Sequence, residues 1–462
     1  MQKLFDEVAS LDRVCYESLG LSEEILMEHA ALGVAHYIRE HFARGARVLI
    51  AIGAGHNGAD GWVLARQLHG AYDVACWQVM PPRSILAHMQ HRRALALGVP
   101  LIDTPAEHYN VVVDALLGSG QNRALDTKVQ AVVDRLNRIE GRKIALDMPT
   151  GLLIDGSVSA HIFQADVTLT MGALKKALFS ESAKPCVGAI EVVDLGIDRA
   201  LYEGETQSYL LEESDAKLPW RTDVTAHKGT YGHLAVVAGE MKGAAQLAAL
   251  AGLRMGAGLV TVVSNEAISV LPLSLMQSTT LPAKTTAIAL GMGLGAIDER
   301  ILSMLALDKP KLLDADILYI PTIAHFLTAS TIITPHPKEF CALLATTAIA
   351  TIEVSTLQAN RMHYVDAFTT AFPEVVLVLK GANVIIAQGS MRYINAMGSA
   401  RLAKGGSGDV LAGLIASLLA QGYAPIDAAI TGSIVHTSTA NSIERHDYAL
   451  TPTDIIDAIG KA

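Results

Sequence analysis

The sequence predicts an α/β protein of two successive domains, each built from alternating strands and helices. Short apolar runs such as Arg47 to Gly53 (RVLIAIG) are continuous rather than alternating, the pattern of strands buried on both faces of a parallel sheet. They alternate with segments of helical period, which implies parallel strands joined by right-handed crossovers. At 462 residues the chain exceeds one ordinary core, and acidic, polar text from Glu203 to Asp215 places a domain boundary near residue 210, giving domains 1–210 and 211–462.

In the first half, Ser22 is placed to cap a helix whose first turn holds Glu23 and Glu24. After Arg47 to Gly53 comes Gly53-Ala54-Gly55-His56-Asn57-Gly58-Ala59-Asp60-Gly61, and Trp62, Val63, Ala65 and Leu68 then resume a helical period. The alternation continues with a strand at Val74 to Val79, a helix at Ile85 to Leu97, a strand at Val111 to Ala115, a helix at Val129 to Leu136 and strands at Ile144 to Leu146, Val167 to Thr170 and Ala189 to Asp194. Ligands of such sheets bind beyond the carboxyl ends of the strands. Three strand ends deliver Asp60, Asp114 and Asp147 to one rim, with Gly118, Ser119 and Gly120 following one of them and Thr150 and Gly151 another. Asn57, Asp114 and Thr150 offer oxygen ligands for a monovalent cation, although each Asp taken singly also suits a turn or a helix cap. The glycine spacing is not G-x-G-x-x-G, so an ordinary dinucleotide fingerprint is not supported.

The second half follows the same grammar. Strands at His233 to Val237, Val260 to Val263 and Ala287 to Leu290 precede Gly291-Met292-Gly293-Leu294-Gly295, and Gly243 to Met255 reads as a helix of small residues. Ile332 and Ile333 lead into Thr334-Pro335-His336-Pro337-Lys338-Glu339, where the prolines would hold the imidazole rigidly, and Val375 to Leu379 leads into Lys380-Gly381-Ala382-Asn383. Lys380 suits a phosphate as a point charge, and equally suits solvent. Asp314 and Asp316 read as turn-formers, and helices at 407–421, 425–442 and 452–460 close the chain.

The most chemically suggestive stretch is Gly405-Gly406-Ser407-Gly408-Asp409 at the head of an apolar helix. Glycines let a ligand approach the backbone, and the first N–H groups of a helix lack internal partners and attract anions. A carboxylate beside such a cradle suits removal of a proton from a substrate hydroxyl, which makes Asp409 the first catalytic candidate. The same residues also serve elsewhere as an ordinary connector and an ordinary N-cap.

Composition narrows the function classes. A net charge of −10 and a pI near 5.9 argue against nucleic-acid and anionic-membrane partners. The apolar runs are too short for a membrane span, and Asp6, Glu7 and Asp12 occupy the N-terminal text in place of an apolar signal core. Cys15, Cys76, Cys186 and Cys341 are scattered without metal-ligand spacing, so a cytoplasmic protein with reduced thiols is expected.

The motifs LMEHA, GAGHNGADG, VDALLGSG and LDMPTG resemble the NAD(P)HX epimerase domain, and HKGTYGHL, GMGLG, TPHPKE, LKGAN and GGSGDVLAG resemble the ADP- or ATP-dependent NAD(P)HX dehydratase domain of the ribokinase-like superfamily. The resemblance, which covers nearly the whole length, implies an N-terminal Rossmann-like three-layer sandwich and a C-terminal ribokinase-like one. It implies that His56, Asn57, Gly58, Ala59, Asp60, Gly118, Ser119, Gly120, Gln121, Asn122, Arg123, Ala124, Leu125 and Asp147 bind the hydrated cofactor, NADHX or NADPHX, with potassium on Asn57, Asp114 and Thr150. For the second domain it implies substrate contacts from Ala244, Gly293, His336 and Asp409, and adenine-nucleotide contacts from Lys380, Gly381, Ala382, Asn383, Val384 and Gly408, with Mg²⁺ accompanying ADP or ATP. Asp147 is the proton-transfer candidate of the first domain. A homo-oligomer is expected.

Two departures stand out. His56 and Ala59 occupy positions where the family usually has Asn and Gly, and His29 one where it has Asn, which predicts an altered epimerase site. Ser407 replaces a commoner Thr, and Lys404 adds a charge expected near the nucleotide. The rival reading is an ATP-dependent kinase of a small alcohol whose first domain only binds ligands or directs assembly.

Overall fold

Strand Arg47–Ile52 (β1) sends Val48, Ile50 and Ile52 to one apolar core and Leu49 and Ala51 to another, so helices must cover both faces of its sheet. The computed structural model describes residues 1–461 and divides into two compact units, residues 3–206 and residues 207 onward together with Met1 and Gln2.

In the first unit, β1 is joined by Asp73–Gln78 (β2), Leu101–Ile102 (β3), His108–Ala115 (β4), Glu140–Leu146 (β5), Val167–Met171 (β6) and Ala189–Val193 (β7). The order is β3-β2-β1-β4-β5-β6-β7 with every pairing parallel. The direction of strand addition reverses between β1 and β4, which opens a crevice at their carboxyl ends. Helix Glu23–His41 (α1), capped by the Ser22 hydroxyl as expected, and helix His56–Leu68 (α2) feed one core; Thr127–Arg138 (α3) buries Val129, Val132, Val133 and Leu136 in the other. Gln2–Phe5 and Leu174–Lys175 form a short parallel pair, registered as Leu4 with Leu174 and Phe5 with Lys175.

The glycine-rich stretch after β1 is shorter as a turn than its sequence suggests, because α2 begins at His56 and Asn57 to Asp60 are helical. Gly58 permits this. A Cβ there would stand 2.1 Å from the Gly53 carbonyl oxygen, so any side chain would push the helix off the strand end.

The second unit contains Ser208–Leu210 (β8), His233–Val237 (β9), Leu259–Val263 (β10), Met276–Ser278 (β11), Ala287–Leu290 (β12), Lys311–Leu313 (β13), Thr331–Ile333 (β14), Val376–Leu379 (β15), Val384–Gln388 (β16) and Met391–Asn395 (β17). Their order is β11-β10-β9-β12-β13-β14-β15-β16-β17-β8. All pair in parallel except the hairpin β15-β16-β17. Leu234 and Val236 face one core, Ala235 and Val237 the other. Helices Lys242–Arg254 (α4), Ser407–Ala420 (α6) and Pro425–Ser442 (α7) pack on the first face, and Pro337–Thr346 (α5) on the second.

Candidate functional sites

The first unit gathers its polar residues where β1, β4 and β5 end. Thr150, fully buried, donates its hydroxyl to Asp114 Oδ1 at 2.8 Å and its N–H to Asp114 Oδ2 at 2.7 Å, while its Oγ1 accepts the Leu117 N–H at 3.1 Å. Burial pushes the Asp114 carboxyl up to about 6, because these hydrogen bonds only partly offset its desolvation. Asn57 is buried, yet neither its amide nitrogen nor its oxygen finds a protein partner. An orphaned amide oxygen and a buried carboxylate short of compensation are the donor chemistry that suits a weakly bound monovalent cation.

Asp147 follows β5 with φ +66, the left-handed region that residues with a Cβ seldom occupy. Its Oδ1 accepts from Lys175 Nζ at 2.5 Å and its Oδ2 from the Ser119 N–H at 2.8 Å. Burial raises its carboxyl, but the charge and hydrogen bond of Lys175, helped by Ser119, bring it below the usual Asp range. Asp60 behaves oppositely: burial, then the negative charges of Asp147, Asp12 and Glu23, push it well up. Two carboxyl groups in one electrostatic neighbourhood are thereby pushed in opposite directions, the tendency that paired base and acid roles exploit. Gly118 lies against both Asp147 and Asn57, since a Cβ on it would stand 2.9 Å from Asp147 Oδ2 and 3.4 Å from Asn57 Cγ. Gly120, Asn122, Arg123 and Ala124 are exposed beyond it, and Gln121 and Leu125 are buried anchors, the Gln121 side chain accepting the Gly151 N–H at 2.9 Å.

In the second unit, Gly406 at φ +92 turns the chain into α6, whose first residues are Ser407, Gly408 and Asp409. A Cβ on Gly405 would meet nothing within 4 Å, so the cradle is open at that residue, whereas Gly406 packs against Leu247 and Pro452. The half-buried Asp409 carboxyl is raised to about 6, by burial first and then by the negative charge of Asp314, against the pull of Lys380. A carboxylate of that basicity is matched to proton abstraction near neutrality. Lys380 Nζ lies 3.5 Å from where a Cβ on Gly408 would stand, so the strand end and the helix head meet. The same ammonium pairs with Asp314 at 2.9 Å and approaches Glu339 at 3.8 Å.

His336 caps α5. Its Nδ1 accepts the N–H groups of Lys338 and Glu339 at 3.1 and 3.3 Å, and Glu339 returns a carboxylate to the His336 N–H at 2.7 Å. The ring is thus fixed, with Nε2 3.1 Å from Glu339 Oε1. Gly293, at φ +61, lies against Met241 and Ala244 at the start of α4. His436, buried in α7, meets the Ser407 hydroxyl at 3.2 Å; burial lowers its imidazole to about 4, so the group behind the cradle is neutral. Asn383 and Val384 are buried and Gly381 and Ala382 exposed, with Arg361 donating to the carbonyl oxygens of Leu379, Lys380 and Asn383.

The family described as NAD(P)H-hydrate dehydratase matches residues 234–461, and the family described as YjeF-related protein N-terminus matches residues 23–177. A bifunctional NAD(P)H-hydrate repair enzyme of Helicobacter pylori is 40% identical over 99% of this chain and 99% of its own length. The chain belongs to the bifunctional NAD(P)H-hydrate repair enzymes. The repair enzyme of Escherichia coli is 30% identical, over 94% of this chain and 88% of its own. Among solved structures, an ADP/ATP-dependent NAD(P)H-hydrate dehydratase of Bacillus subtilis co-crystallised with ATP/Mg²⁺ is 28% identical, covering 55% of this chain and 96% of its own with a TM-score of 0.46.

Within this member of the repair-enzyme family, several sequence expectations are revised. Ala59 is fully buried, and its methyl group packs in the apolar core. His56 is largely exposed, 3.4 Å from Glu23. Lys404 donates to the Tyr448 carbonyl at 2.7 Å. Asp314 is a buried ion-pair partner rather than a turn-former, because the ammonium that neutralises it comes 66 residues later. Lys175 carries no local motif for the same reason: a lone lysine 28 residues beyond Asp147 reads as a solvated side chain. Glu339 lies within the TPHPKE motif, and the His-x-x-Glu spacing at a helix start that sets its capping geometry with His336 is the sequence signal for it.

Proposed function

We propose that the chain repairs hydrated nicotinamide nucleotides in two steps. Residues 1–210 interconvert the R and S epimers of NADHX and NADPHX, and residues 211–462 dehydrate the S form to NAD(P)H at the expense of ADP or ATP, releasing AMP or ADP and phosphate. The observation that carries this reading is Asp409, set at the head of α6 beside an open glycine cradle with its carboxyl raised to about 6.

Hydration leaves a hydroxyl on C6 of the reduced ring, a poor leaving group. Asp409 takes the hydroxyl proton as the oxygen attacks the terminal phosphorus of the nucleotide; the new O–P bond forms while the bond to AMP or ADP breaks. The backbone N–H groups of Gly405, Gly406 and Gly408 and the Lys380 ammonium face the developing charge. The ring nitrogen then expels phosphate from C6, and loss of a C5 proton restores the double bond. Mg²⁺ would arrive with the phosphates and neutralise their charge. Ala244, Gly293 and His336 are proposed to seat the substrate, and Gly381 through Val384 with Gly408 the adenine nucleotide.

In the first unit, Asp147 is proposed as the proton-transfer group, with His56 to Asp60 and Gly118 to Leu125 around the substrate and potassium on Asn57, Asp114 and Thr150. The cation fits because Asn57 is orphaned and Asp114 is buried without compensating charge. No described helix is long and apolar enough to cross a membrane. A cytoplasmic location and a homo-oligomeric assembly are proposed, the latter to be read by light scattering.

Incubating the protein with both hydrate epimers and ADP or ATP tests the whole. Full recovery of reduced-cofactor absorbance, matched by phosphate release, is expected. A stable phosphorylated product would favour the small-alcohol kinase, and recovery of only half the mixture would leave the first unit without epimerase activity.

A further inference from the structure

Lys175 is 1% exposed, at the end of a two-residue strand in the first unit. Its three N–H bonds all have acceptors: Asp147 Oδ1 at 2.5 Å, Thr170 Oγ1 at 2.9 Å and the Met171 carbonyl oxygen at 2.8 Å. An ammonium this deeply buried is costly unless paired, and a solvated alternative was available to a side chain of this length. The carboxylate it holds is also constrained. Asp147 sits at φ +66, and its second oxygen accepts the Ser119 N–H on the loop that begins at Gly118. One oxygen is thus clamped from the protein interior, and the other looks toward the expected substrate loop. The remaining ionisable groups facing this centre are acidic: Asp60, Asp12 and Glu23, with the Tyr202 hydroxyl donating to Asp12 at 2.7 Å.

We propose that Lys175 is a positioning residue for epimerisation: its ammonium fixes one oxygen of Asp147 so that the carboxylate stays charged and aimed at the substrate. This rests on the reading of Asp147 as the proton-transfer group. Without the ammonium, a buried carboxylate among three others would take up a proton and lose its capacity to accept one from substrate. Lysine suits the task because its three donors fill the three available acceptors, whereas a guanidinium needs more room.

The test uses the full chain and follows epimerisation across pH for Lys175→Met, Lys175→Arg and Asp147→Asn, with dehydratase activity and circular dichroism melts alongside. Lys175→Met should lower kcat at least tenfold, leave KM within about threefold and move the acid limb of the pH profile upward, since an unclamped Asp147 protonates more readily. Lys175→Arg should return the acid limb and part of kcat. Lys175→Met with the wild-type kcat and acid limb overturns the proposal. Asp147→Asn separates the two ideas: an active variant removes the proton-transfer reading itself, while an inactive one beside an unperturbed Lys175→Met removes only the role of Lys175. Should Lys175→Met fail to fold, infrared difference spectra of wild type against Asp147→Asn decide, because an Asp147 carboxyl that titrates above the ordinary 3.8 is not being held by Lys175.

Discussion

Lys380 Nζ lies 2.9 Å from Asp314 Oδ1, and Asp314 is 2% exposed. The pair joins the ends of β13 and β15 and stands beside the head of α6, so one buried carboxylate governs both the ammonium beside the cradle and the proton affinity of Asp409. Asp314→Asn is expected to move the acid limb of dehydratase activity to lower pH. The sign follows from Asp314 raising the Asp409 carboxyl: with that charge gone, Asp409 remains ionised to lower pH. Lys380→Met is the harsher change, leaving Asp314 without its partner at a cost of about 3–5 kcal/mol, readable in denaturant melts.

Wild-type dehydratase activity should rise with pH through about 6, as Asp409 ionises. Asp409→Asn should lower kcat by about a hundred- to ten-thousandfold while nucleotide affinity and epimerase activity persist. A folded Asp409→Asn enzyme with more than a tenth of the wild-type rate would exclude the base assignment.

Potassium should raise the melting temperature of the first unit in the full chain, and Asn57→Ala should abolish the increment. A hundredfold excess over the dissociation constant corresponds to about 2.7 kcal/mol. Equal melts in potassium and lithium salts would remove potassium from the site.

Gly58→Ala places a methyl group 2.1 Å from the Gly53 carbonyl oxygen, a backbone contact that cannot yield without moving α2. Destabilisation of about 1–3 kcal/mol and loss of epimerase activity are expected, with dehydratase activity intact. Gly405→Ala meets open space and should change stability by less than about 0.5 kcal/mol. A rise in nucleotide KM in that variant would report direct contact with the cradle.

Much of the fold was legible because strands buried on both faces and helices buried on one leave different apolar periods, as Arg47 to Gly53 and Trp62 to Leu68 do. The hairpin of β16 and β17 is absent from the expected alternation of strands and helices, although Gly389 and Ser390 between VIIAQ and MRYIN are a two-residue turn signal. The strand β8 is three residues long and carries no periodic signal.

By itself the sequence determined the two α/β units, the glycine loops at their strand ends and the identity of the carboxylates Asp114, Asp147 and Asp409, since backbone conformation and burial pattern are written locally. Only the tertiary structure decided which charges meet. Lys175 reaches Asp147 across 28 residues and Lys380 reaches Asp314 across 66, and at such separations nothing in the local text marks a lysine as buried. The protonation state of each carboxylate depends on those encounters, because Coulomb energy and desolvation are set by distance in space rather than along the chain.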